Sequence, residues 1–358
     1  MNKSKVFLQI SVGIDISKDD FKVCMMGRLA DKTCKIIASS RFANSNKGFV
    51  GFWKWAEKHG QKHPDIEMEF LMEATGVYHE NLAWFLYEEK QAKVVIVLPN
   101  QAKAFFRSEG FKSKNDKIDA QGLAKMSLSK SLKVWKPISP VLHRLRTQTR
   151  QHESLQKALT RVGNQLHALK YSHLPDQVVI KQLEKNIVFL AKQIVEIKTI
   201  IEKTAKEDQK FYQRLQHITS IYGVGLLTAA TVVAETNGFA LFTSQTQLTS
   251  FAGYDIVEKQ SGKHFGKTRI SKKGNTHIRR ILFMPAFHIV KIEGLFQDLY
   301  NRVFERTKIK MKAYTAVQRK LLCLMFTLWK KEEDFDADYY KNNLVEEDKL
   351  PLHVIDAH

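Results

Sequence analysis

VGIDIS, residues 12–17, is the stretch on which the fold turns. Val12, Ile14 and Ile16 alternate with Gly13, Asp15 and Ser17, the period of two that marks a strand with one buried face. Asp15 therefore stands on the face opposite the apolar set. A carboxylate in a central strand is costly unless it is paired or binds a cation; an edge strand facing water is the bland alternative. Working outward, FKVCMMG (21–27) and KTCKIIASSRF (32–42) read as two further strands in a hairpin meander. After them FVGFWKWAEKHG (49–60) reads as a helix, IEMEFLME (66–73) as a buried strand and YHENLAWFLYEEK (78–90) as a helix. KVVIVLP (93–99) then reads as a strand and QAKAFFRSEG (101–110) as a helix. Three strands followed by alternating helix and strand predict an α/β domain with a mixed sheet over residues 1–140. It closes at KPISP (136–140), where two prolines interrupt regular structure.

Beyond the linker the pattern is helical. Leu155, Leu159, Val162, Leu166 and Leu169 form a heptad seam, Pro175 breaks it, and Leu183, Ile187, Leu190, Ile194, Ile197 and Ile201 resume it. This predicts a helical hairpin or coiled coil over 141–210, paired within the chain or with a second chain. Residues 211–330 read as a mainly α domain with glycine interruptions. Gly223 and Gly225 in YGVGLL make a tight turn before a helix, either a helix-hairpin-helix with N–H groups facing a phosphate or an ordinary helix turn.

The 358 residues carry 57 Lys and Arg against 37 Asp and Glu, a net charge of +20. Nine of the acids and only three lysines fall in an acidic tail, 331–358, so the first 330 residues carry 54 bases against 28 acids, or +26. Such a surface favours a polyanion, because each neutralised phosphate releases condensed counterions. No apolar run is long enough to cross a bilayer, the start lacks a signal-peptide core, and three scattered cysteines make neither a disulfide framework nor a zinc site. A cytoplasmic, nucleoid-associated protein is the expectation. The densest charge lies in KQSGKHFGKTRISKKGNTHIRR (259–280), with eight Lys and Arg, interspersed glycines and no acid. It reads as a loop pressed against a phosphate backbone through Lys263, Lys267, Arg269, Lys272, Lys273, Arg279 and Arg280.

Acids are conspicuous where they are isolated. Glu73 ends its strand, at the carboxyl end where α/β ligand sites gather, whereas Glu67 and Glu69 alternate with apolar positions and read as solvated. Asp116 and Asp119 stand three apart at a helix start, beside Lys114 and Lys117; a pair favoured by the helix dipole is the alternative reading. Between Lys103 and Arg150 they and Glu109 are the only acids among twelve Lys and Arg. Hard oxygen donors from three elements suit Mg2+, which keeps positions for water and phosphate.

An Asp on the first strand, a Glu at a later strand end and then DxxD resembles the RuvC-like branch of the ribonuclease-H fold. GIDISKDDF (13–21), MEATGVYHENLAWFL (72–86), KSKNDKIDAQGLA (112–124), YGVGLLTAATVVAE (222–235) and the segment 248–280 resemble, in order, the DEDD transposases of the IS110 type, relatives of the Piv invertases. Asn115 stands where members often have Thr. The resemblance implies a tetrad of Asp15, Glu73, Asp116 and Asp119 holding Mg2+, and a nucleophilic serine at Ser261; the residues alone do not choose it over Ser250 or Ser271. It implies donor and target double-stranded DNA, an element-encoded noncoding guide RNA, and a homodimer assembling to a tetramer. The expected function is an RNA-guided recombinase working through a phosphoserine. A junction-resolving nuclease using water and metal alone, or a non-enzymatic architectural protein, are the alternatives.

Overall fold

The computed structural model describes residues 6–74, 76–110, 116–257, 260–261, 264–265 and 269–336. The acidic tail beyond Asp336 therefore lies outside the described residues. The chain divides into two compact units, 1–137 and 138–358.

The first unit is built on β1 (Phe7–Ile16), β2 (Asp20–Leu29), β3 (Cys34–Ala43), β4 (Met68–Glu73) and β5 (Lys93–Val97). Their order in the sheet is β3-β2-β1-β4-β5; the first three run antiparallel, and β4 and β5 run parallel to β1. This is the mixed sheet expected of the first 140 residues. A hairpin needs only a short turn, and here Ser17 provides it, its N–H donating to the Asp20 carbonyl at 2.8 Å. A parallel return needs a crossover, and α1 (Asn46–Gly60), capped by the Ser45 hydroxyl, carries the chain from β3 to β4. The apolar alternation of β1 does what it predicts. Val12, Ile14 and Ile16 are buried against Phe21, Phe49, Phe52 and Phe70, the core under α1.

α2 (Glu80–Trp84) runs on into a π-helical turn, Phe85–Glu89. The opposite sheet face is covered by α3 (Pro99–Ser108) and α4 (Asp116–Ser129). Leu71, Val95 and Val97 meet Ala102, Phe105, Leu123 and Met126 there.

In the second unit α5 (Pro140–Lys170) starts from a Ser139 cap with Pro140 in its first turn, and α6 (Gln177–Lys206) from an Asp176 cap. The two pack on each other, so the heptad seams close within the chain, burying Leu155, Val162, Ile180, Ile194 and Ile201. Then come α7 (Gln209–Thr219), α8 (Leu226–Glu235), α9 (Gln245–Ala252), α10 (Thr276–Ile281), α11 (Phe283–Ile289), α12 (Leu295–Thr307) and α13 (Lys310–Lys331). α8 is buried on nearly every side and, with α13, forms the centre of this core.

The segment predicted as a basic loop is different. β6 (Ile256–Val257) pairs antiparallel with β9 (Arg269–Ile270), and β7 (Gln260–Ser261) with β8 (His264–Phe265). Its strands are only two residues long, in a stretch of sequence interspersed with glycine and lysine, so no alternation announces them. Among the described residues no helix is long and apolar enough to cross a membrane.

Candidate functional site

Gly13 and Leu71 are register partners on the parallel strands β1 and β4, and both lie on the α4 face. Asp15 and Glu73 stand two residues further along each strand. Period two keeps them on that face, at the carboxyl ends of neighbouring strands. Both are half-buried.

The approach of α4 is set by Gly13. A Cβ there would lie 2.1 Å from the Ala120 carbonyl oxygen and 2.2 Å from the Ala124 nitrogen, so only glycine lets the helix backbone rest on the strand. Leu128 packs with Cys24 and Met26, and the Arg28 guanidinium donates to its carbonyl at 3.0 Å. Arg28 pairs with Gln9, near the amino end of β1, so α4 runs antiparallel to β1. Its amino end therefore lies toward Asp15 and Glu73. From Gly13 to Asp15 the strand advances about 6.6 Å. From Ala120 back to Asp116 the helix advances about 6 Å. The first residue of α4 thus draws level with the strand-borne carboxylates. Asp119 is half-buried and precedes Leu123 by one turn, on the side of α4 that meets β4 and β5. The side chains of Asp116 and Lys117, and Lys114 altogether, lie outside the described residues.

All four tetrad positions therefore belong to one end of one sheet face. Among the described residues no group of three or more His, Cys, Asp or Glu is close enough to hold a metal ion. The donor set, oxygen only and drawn from three elements, fits a hard divalent cation. Glu69, by contrast, is not solvated. It is half-buried, accepts from the Ser127 hydroxyl and pairs with Lys93 at 3.2 Å, because α4 covers its side of β4.

The basic candidates divide. Gly223 takes φ 79° in the turn before α8, and Gly225 is the N-cap of that helix with open space where a Cβ would stand. Ser261 pairs with His264 in the short β7–β8 ladder; Lys263 and Lys267 lie outside the described residues. Arg269 in β9, Lys272 and Lys273 are exposed. Arg279 is half-buried and donates to the carbonyls of Ala252 (2.6 Å) and Lys272 (3.2 Å), so its guanidinium serves the protein's own backbone. Arg280 lies 3.7 Å from Glu153.

Sequence reasoning passed over Glu235. Its carboxylate is 1% exposed and takes two hydrogen bonds from Arg150, at 2.7 and 2.9 Å, and one from the Asn275 amide at 2.7 Å. Burial alone would raise its carboxyl, but the Arg150 hydrogen bonds and charge, with Asn275, outweigh it and hold the group below its ordinary value. A signal existed: Glu235 is the sole acid between Asp208 and Asp255 and ends an apolar helix. One turn along α5 from Arg150, Glu153 accepts from Lys157 and meets His277 Nδ1, both at 2.5 Å.

A DEDD transposase family model of the IS110 type matches residues 12–174, and the model described as "Transposase IS116/IS110/IS902 family" matches residues 215–301. The pilin gene-inverting protein of Moraxella bovis is 27% identical over 91% of this chain and 97% of its own length. The transposase for insertion sequence element IS1111A of Coxiella burnetii is 22% identical over 90% of each. Among solved structures, T. thermophilus RuvC in complex with Holliday junction substrate aligns with 36% of this chain and 100% of its own, at 10% identity and a TM-score of 0.28.

Proposed function

The chain belongs to the DEDD transposases of the IS116/IS110/IS902 family, enzymes that recombine DNA, and from that premise we propose that it cuts and rejoins DNA through a covalent bond to Ser261. The observation that carries the reading is the gathering of Asp15, Glu73 and the start of α4 at the carboxyl ends of two parallel strands. Asp15, Glu73, Asp116 and Asp119 would hold the divalent ion that a RuvC-like DEDD centre implies, and Mg2+ suits their oxygens. When bound, that ion would supply charge neutralisation at the reacting phosphate.

The remaining chemistry belongs to the chain. The Ser261 hydroxyl oxygen attacks phosphorus and gives up its proton; the bond from phosphorus to the 3′-oxygen breaks, and that oxygen leaves as a free 3′-hydroxyl. A phosphodiester now joins the DNA 5′ end to Ser261, and attack by a 3′-hydroxyl from the other DNA reverses the step and reseals the strand. Energy is conserved because one phosphodiester replaces another. Arg269, Lys272 and Lys273 offset charge on the phosphate, with Lys263 and Lys267 from the same basic segment. Donor and target duplexes are the DNA substrates. The +26 carried by the first 330 residues suits a second polyanion as well, and an element-encoded guide RNA that reads sequence by base pairing fills that part. A homodimer pairing to a tetramer would supply four serines for two duplexes.

A suicide-substrate duplex incubated with full-length protein, Mg2+ and element RNA tests the reading on a denaturing gel. A protein–DNA adduct that disappears in Ser261→Ala supports it. Cleavage by Ser261→Ala at the wild-type rate would establish a water-and-metal nuclease instead. Protein purified from cells should carry one discrete, RNase-sensitive RNA species; a heterogeneous smear counts against the guide.

A further inference from the structure

The segment that carries Ser261 leaves the helical core at Gly253 and returns at Gly274, and its two legs are fastened together there. Gly253 ends α9 in the left-handed conformation, φ 77°. A Cβ on Gly274 would fall 2.5 Å from both the Gly253 nitrogen and the Phe251 oxygen, so the legs approach closer than any side chain allows. Across this neck the Asn275 N–H donates to the Phe251 carbonyl at 2.8 Å, the Lys272 N–H to Gly253 at 3.2 Å and the Ser271 N–H to Asp255 at 2.7 Å. Arg279 bridges both legs through the carbonyls of Ala252 and Lys272.

Beneath the neck, Asn275 works in two directions. Its Oδ1 accepts from the N–H groups of His277 (2.9 Å) and Ile278 (3.1 Å), capping α10. Its Nδ2 donates to Glu235 Oε2, whose buried carboxylate is in turn gripped by Arg150. The end of α8, the middle of α5 and the returning leg thus meet on one carboxylate.

We propose that Glu235, Arg150 and Asn275 are a positioning clamp that fixes the angle at which the ribbon presents Ser261. The proposal rests on Ser261 being the nucleophile. Leverage gives it force: Ser261 is six residue steps from Asp255 in sequence, a maximum reach of about 20 Å. A tilt of about 5° at the neck moves the tip by about 1.7 Å, and a misplacement of about 1 Å costs on the order of 10²-fold in rate. None of the three residues touches the reacting atoms; each acts through the neck.

Asn275→Asp tests this, because Asp caps a helix as well as Asn does yet sets a carboxylate against Glu235 where an amide donor stood. With the suicide duplex, DNA binding should stay within about twofold while the rate of adduct formation falls by about 30-fold or more. Amide exchange at Ser271, Lys272 and Asn275 should quicken. Adding Glu235→Gln, which turns an amide toward Asp at 275, should return the rate to within about fivefold of wild type. Asn275→Asp forming adduct within about threefold of wild type, or a double variant as slow as the single, overturns the clamp. If Asn275→Asp fails to fold, Asn275→Ser keeps a capping hydroxyl, removes the donor to Glu235 and is judged by the same threefold limit. If wild type itself forms no adduct, the serine reading fails. Exchange at the neck then decides the clamp alone, and unchanged protection in the variant refutes it.

Discussion

Gly13→Ala is the smallest change that separates the helix-borne carboxylates from the strand-borne ones. The added Cβ would start 2.1 Å from the Ala120 oxygen and 2.2 Å from the Ala124 nitrogen, both backbone atoms of α4 that no rotamer change can move. Ordinary contact needs about 3.4 Å, so α4 must lift from β1 by about 1.3 Å. Overpacking of that kind costs about 1–3 kcal/mol, a loss of several degrees in melting temperature for a unit of this size. Because α4 begins with Asp116 and includes Asp119, the same lift draws both away from Asp15 and Glu73. Strand cleavage should fall by about 10²-fold, well beyond what the folded fraction accounts for. The assay pairs a thermal melt with cleavage of labelled duplex at a temperature where the variant is fully folded, and binding is measured alongside. A variant that melts lower but cleaves at the wild-type rate would refute the link between helix seating and chemistry. One that melts like wild type would refute the close approach itself.

The remaining predictions concern the second unit. The Glu235 carboxyl is held below its ordinary value of 4.5, so its stabilisation is complete above that value and is lost as pH falls through the folded value. Only the Glu235 end of the pair is buried, Arg150 being half exposed, so losing its charge-assisted hydrogen bonds costs about 1.5–3 kcal/mol. Melts across pH should therefore show Glu235→Gln less stable than wild type from pH 8 to 5, the gap narrowing below about pH 4.5; a constant gap contradicts this. Lys272 and Lys273 are exposed, whereas Arg279 is spent on backbone carbonyls. Replacing both lysines by Ala should flatten the salt dependence of DNA binding by up to about 1.8 in log–log slope and leave the melt alone. Arg279→Ala should lower the melt by the equivalent of about 1–3 kcal/mol. The reverse pattern would exchange their roles.

How much of this is legible in the sequence depends on the range of the interaction. The alternation in VGIDIS announces β1 and places Asp15 on its face, because burial on one side of a strand has period two. The heptad seams announce α5 and α6, though their pairing within the chain needs the turn at 171–176. Gly13 gives no hint that its partner is Ala120, more than a hundred residues on, since an absent side chain leaves no pattern. The ladders beside Ser261 are too short for periodicity. Glu235 was passed over although it is a lone acid in its stretch, and only packing shows that Arg150 and Asn275 hold it. Glu69 misled by the same logic that placed Asp15: alternation finds the face of a strand and says nothing of which helix covers it.

The most direct test is Mn2+ binding to the intact protein, followed by electron paramagnetic resonance. One class of bound ion is expected in wild type, lost in Asp15→Asn and in Glu73→Gln and weakened by at least about tenfold in Asp119→Asn, because strand and helix donors share it. Occupancy that survives both strand substitutions would mean that the four acids do not make a common site.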